Sequence, residues 1–161
     1  MPMPAAGPDV SADGADDPDG AVRAAGADAL EAVLAARDAS GLADEQWERA
    51  QRHAFAVLAF GVVSGVFNGR LAAESTTEAI EDATVLALRQ SLRLAYREAH
   101  ATVQAIGSAL LAERPHEAVQ ALVKAGWLAA QAWLRADRAD FSARVLQATA
   151  SDAFASERPL L

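Results

Sequence analysis

His53-Ala-Phe-Ala-Val-Leu-Ala-Phe-Gly-Val-Val-Ser-Gly-Val-Phe-Asn-Gly69 decides how this chain is read. No Asp, Glu, Lys or Arg falls between Arg52 and Arg70, and Gly61, Gly65 and Gly69 recur at every fourth position. On a helix these glycines form one bare strip, while Phe55, Val57, Leu58, Phe60, Val62, Val63, Val66 and Phe67 point in every other direction. A helix apolar all round is covered on all sides, by other helices or by lipid. Each glycine costs a helix interior roughly 1 kcal/mol relative to alanine, so three in register predict a second backbone close by. Gly61, Ser64, Gly65 and Gly69 are therefore expected at a helix contact, either within one subunit or across a dimer interface. Lipid is the weakest of the three readings. The uncharged run 54–69 spans about 24 Å as a helix, short of the ~20 residues that a bilayer core requires.

Working outward, this buried helix is expected to run from about 45 to 73, with Asp44 as its cap and Glu45 in its first turn. Before it, Val22, Ala25, Ala29, Leu30, Val33 and Leu34 recur at three- and four-residue steps, which predicts a helix over 21–39 with Ser40-Gly41 as its stop. Beyond it, Ser75-Thr-Thr-Glu78 has the spacing of a capping box. From there the periodicity continues through Val85, Leu88, Leu92, Ala95, Ala99, Thr102 and Ile106, and nothing forbids a helix until Pro115. The prediction is one long helix over about 76–113, roughly 57 Å if unbroken, with Gly107-Ser108 as its weakest point. Pro115 suits the start of a fourth helix reaching about Ala136, and Asp137 or Asp140 can cap a fifth that ends before Pro159. No segment alternates with period two long enough to make a strand. The fold class is all-α: a single-domain bundle of about five helices over 20–158.

The chain has 161 residues, of which 52% are hydrophobic and 22% charged, enough for one domain with a substantial core. There is no cysteine, so disulfides and thiolate-held metals are excluded, and a cytoplasmic location is the expectation. Residues 1–19 hold Asp9, Asp13, Asp16, Asp17 and Asp19, four prolines and no Lys or Arg, and read as a disordered acidic tail without the features of a secretory signal. They supply five of the net eight negative charges, and the remainder is only mildly acidic. A nucleic-acid binder carries a basic surplus instead, so nucleic acid is not an expected partner.

The search for chemistry finds little. Glu113-Arg-Pro-His116 is the one Glu-x-x-His spacing, with Pro115 between its members, where a carboxylate-bridged metal pair needs two such motifs. Ser64 in Gly61-Val-Val-Ser-Gly65 lacks both the spacing and the preceding strand of a nucleophile elbow. No phosphate-binding loop is present. No metal, cofactor or catalytic residue is therefore assigned. Arg89, Arg93 and Arg97 fall at i, i+4 and i+8 of the expected long helix, a locally positive face that suits an anion or an acidic partner. Tyr96, Trp127 and Trp133 are candidates to line a pocket.

No motif is specific enough to assign a family. In general organisation the chain is similar to small all-helical bacterial proteins, some toxin-neutralising immunity proteins among them, and no residue role is carried over from that similarity. The expected function is a non-enzymatic helical interaction or assembly protein, acting as a homodimer and in some settings with another protein. The alternatives are an acidic immunity-type inhibitor of a basic enzyme, steered by its charge, a small-molecule-binding and catalytic bundle, and a membrane-associated helical protein.

Overall fold

The computed structural model describes residues 18–41, 47, 49–71, 76–114, 116–155 and 160–161. Among them are seven helices and no strand: α1 Pro18–Ala39, α2 Arg49–Leu71, α3 Thr77–Ser91, α4 Tyr96–Leu111, α5 Glu117–Leu134, α6 Arg138–Thr149 and the short α7 Asp152–Ala155. Of the expected tail at 1–19, residues 1–17 lie outside the described residues, as do the Asp44 cap and Ser75, whereas Pro18 and Asp19 open α1.

Helix α2 touches α1, α3, α4, α5 and α7, and its most extensive contact is with α5. Its side chains from Ala54 to Ala59 are buried without interruption, as are Val62, Val63, Val66 and Phe67. Burying each of the larger ones contributes roughly 1.5–3 kcal/mol, which is why a sequence apolar all round takes the middle of the bundle. Helix α1, which packs on α2 and α3, buries Ala25, Ala29, Ala32, Val33 and Ala36, a mostly alanine set that lets helices lie close. Near the start of α2, Trp47 meets Phe55 and Phe154 edge to face, at 5.5 and 5.8 Å between ring centres, and ties the end of the chain to the core.

The expected long helix over 76–113 is two helices. Residues 92–95 form an elbow, with Arg93 in the left-handed region at φ 56°. The chain then doubles back: Arg89 lies over the ring of Tyr96, and Gln104 donates to Glu81 at 3.4 Å, pairs that fit only antiparallel register. The cause is burial. Leu88, Leu92 and Leu94 are all inside, yet on an unbroken helix Leu94 would point about 200° away from Leu92. An elbow puts both leucines inward, and Gly107, the expected kink, sits within α4 instead.

Two caps also differ from expectation. Thr76, not Ser75, opens α3, its hydroxyl accepting the Ala79 N–H at 3.1 Å. Helix α5 begins after His116, whose Nδ1 accepts the Ala118 N–H. Asp137 caps α6 by accepting the Asp140 N–H at 3.0 Å. A polar tie at the bundle surface joins three helices: Asp28 on α1 accepts from Arg70 Nε of α2 at 2.6 Å and from Trp133 Nε1 of α5 at 3.0 Å.

Candidate functional site

At the α2–α5 crossing the two backbones are in contact. A Cβ built on Gly61 would overlap the Val123 carbonyl, and one on Gly126 would overlap the Leu58 carbonyl from the opposite side. On Gly65 it would stand 2.6 Å from the Ala130 Cβ, and on Gly69 it would strike the end of the Leu134 side chain. These positions face α5 of the same chain. Ser64, one residue off the strip, is half-buried. Helix α2 is the one helix among the described residues long and apolar enough to cross a membrane, and 72% of its most apolar window is buried within the bundle.

The structure rearranges the other expected groupings. Arg89, Arg93 and Arg97 do not share a helix face: they lie on α3, the elbow and α4, so the fold gathers them at the tip of a helical hairpin. All three are exposed, and Tyr96 beside them stacks on His100 at 5.8 Å. Trp133 is buried, with its N–H given to Asp28, Arg138 over its ring at 3.8 Å and Phe141 at its edge. Trp127 is 39% exposed on α5. None of Tyr96, Trp127 and Trp133 lines either of the two cavities described next. Among the described residues no group of three His, Asp or Glu side chains is placed to hold a metal ion.

The first cavity is an apolar groove of about 570 Å³ between α5 and the α6–α7 end of the bundle. Ala118, Ala121, Leu122, Ala125 and Leu128 form its α5 wall, and Ala148 and Ala153 face them. Alanine leaves the wall shallow, and Leu128 and the neighbouring Leu146 remain 36% and 50% exposed. Charges of both signs sit on the rim, Glu117 and Lys124 on one side, Arg144 and Asp152 on the other. Arg144 is held by Asp140 at 3.1 Å, one turn back on α6.

The second cavity, about 540 Å³, lies between the start of α2 and α4. Arg49, Arg52, His53 and Ala56 line it from α2, Glu98 and Thr102 from α4, with Leu94 from the elbow and Trp47 as a wall. Partial burial lowers the His53 pKa below its ordinary value near 6.5, the charge of Arg49 lowers it further, and Glu98 opposes both. The folded state thus favours neutral His53, so this residue's contribution is kept above pH 6.5 and lost as pH falls below it.

Neither cavity is evident from local sequence pattern. The groove wall leaves a trace in Glu117, Ala121, Lys124 and Leu128, spaced four, three and four, but alanines in such a row look like ordinary helix filler. The second wall has a clearer one: Arg49, Arg52, His53 and Ala56 at i, i+3, i+4 and i+7 put two cations and an imidazole on one face of an otherwise apolar helix. Comparison with known proteins returns no family model, curated relative or solved structure that matches this chain.

Proposed function

We propose that this protein is a non-enzymatic helical interaction protein that assembles as a homodimer through the α5 groove, with α5 of a second copy running antiparallel as the occupant. The observation that carries the reading is the groove itself, an alanine-walled apolar surface with Leu128 left exposed in it. Small side chains let a second helix approach closely, and contiguous exposed apolar surface of this kind marks interaction sites. The rim favours a second copy over an unrelated partner because it is self-complementary. Glu117 and Lys124 are one heptad apart, so a two-fold axis near Ala121 brings each copy's Glu117 beside the partner's Lys124. The glycine strip, by contrast, is taken up by α5 within the subunit, which turns attention from α2 to the outer faces.

The test is absolute mass in solution for wild type and Ala121→Arg. Ala121 is exposed, so the substitution leaves the core intact. A dimeric wild type and a monomeric variant with unchanged helicity are the expected outcome. A monomeric wild type at millimolar concentration, or a dimer indifferent to Ala121→Arg, removes the groove as the assembly surface.

A further inference from the structure

We infer that the cavity between α2 and α4 is a binding site for a small organic carboxylate, the anion held by Arg49, Arg52 and His53 and its apolar body lodged against Ala56, Leu94 and Trp47. This goes beyond the assembly role of the α5 groove and does not depend on it.

The volume of about 540 Å³ lies within the roughly 300–1,000 Å³ typical of small-molecule sites. Its layout is that of such a site: Trp47, Ala56 and Leu94 are buried, and Arg49, Arg52 and Glu98 are exposed around them. No ion pair joins Arg49, Arg52 or Glu98 to another described residue, although cations and a carboxylate line one cavity. The Nδ1 of His53 is buried without a hydrogen-bond partner among the described residues. A carboxylate entering the cavity gives the two guanidiniums the planar acceptor that they match best, with His53 lining the same space. Thr102 is not available to it, since its hydroxyl donates to the Glu98 carbonyl at 2.8 Å.

Charge selects the anion. With His53 neutral, the described lining residues sum to two positive charges from Arg49 and Arg52 and one negative charge from Glu98. One net positive charge matches a monoanion. A phosphate dianion would leave an uncompensated charge beside Glu98. The walls of Trp47, Leu94 and Ala56 in turn ask for an apolar body, as in an aromatic or branched acid, which inorganic anions lack.

The experiment titrates the full chain with benzoate, with its neutral counterpart benzamide and with inorganic phosphate, following the His53 ring resonances by NMR and heat by calorimetry. Benzoate is expected to bind one per chain, to shift the His53 resonances and to raise the imidazole pKa, because an anion beside it favours the protonated form. Benzamide and phosphate are expected to bind at least about tenfold more weakly. Arg52→Gln should weaken benzoate by about tenfold, while Glu98→Gln should tighten it roughly threefold by removing a like charge. Both residues are exposed, so both variants keep the fold. Absence of any His53 shift at millimolar benzoate, equal binding of benzamide, tighter binding of phosphate, or weakening by Glu98→Gln would each overturn the assignment.

Discussion

The α2–α5 crossing and the α3–α4 hairpin solve the same problem in opposite ways. Both bring two helices of one chain together. At the crossing Gly61, Gly65 and Gly126 meet carbonyl and Cα atoms directly, so the contact exists because side chains are missing. At the elbow Leu88, Leu92 and Leu94 are buried together, and the backbone bends through a left-handed Arg93 to allow it. One contact is defined by atoms that cannot be added, the other by atoms that cannot be removed. The crossing is therefore intolerant of the smallest enlargement, whereas the elbow tolerates enlargement near the surface and is sensitive to truncation.

The largest effect is expected from Gly126→Ala. Its new methyl group would overlap the Leu58 carbonyl and lie 2.8 Å from the Val62 nitrogen, and neither is a flexible side-chain end that can swing aside. The helices must separate, at a cost of about 3 kcal/mol or more. Denaturant titration of the variant checks this. A loss below roughly 1 kcal/mol would mean that the backbones are not in contact, and the comparison would fail at its first term.

Leu92→Ala tests the second term. Leu92 is 9% exposed and closes α3 through its N–H to the Leu88 carbonyl at 3.0 Å. Removing its side chain should cost about 2 kcal/mol, near the lower end for leucine truncations because the site is close to the surface. The same denaturation experiment reads it, and a neutral result would mean that leucine burial does not set the elbow.

These two regions also differ in how legible they were. The spacing of Gly61, Gly65 and Gly69 announces a close contact, because a helix has few other reasons to carry glycine at every fourth position. The partner was not legible, since Gly126 is a lone glycine among Val123, Trp127 and Ala130 and gains its meaning only opposite Leu58. The elbow left no local sign at all. Its left-handed residue is arginine rather than glycine or asparagine, and the apolar steps through Leu88, Leu92, Ala95 and Ala99 pass across it undisturbed. What breaks the helix is the demand that Leu94 be buried, a tertiary requirement that overrides local propensity. The same displacement hid the α2–α4 cavity, because Leu94 and Glu98 reach the Arg49–His53 face only once the chain has turned back.

The elbow has a counterpart at the end of α5, and it supplies the smallest and cleanest prediction. There the Asp137 N–H donates to the Ala132 carbonyl at 3.0 Å and the Ala136 N–H to the Trp133 carbonyl at 2.9 Å, the paired bonds of a Schellman motif. The residue that must turn left-handed for this is Ala136, at φ 58°. A Cβ there crowds the neighbouring carbonyl at a cost of about 1–2 kcal/mol, which glycine does not incur. Ala136→Gly should therefore stabilise the protein, but by only about 0.5–1 kcal/mol, because glycine also loosens the unfolded chain. The side chain is an exposed methyl group, so no packing is lost. Arg93→Gly relieves the same strain but discards the contacts of a long side chain, so its gain should be smaller. If Ala136→Gly destabilises instead, the cost of the left-handed turn is not what limits this helix end, and the Arg93 elbow cannot be read as strained either.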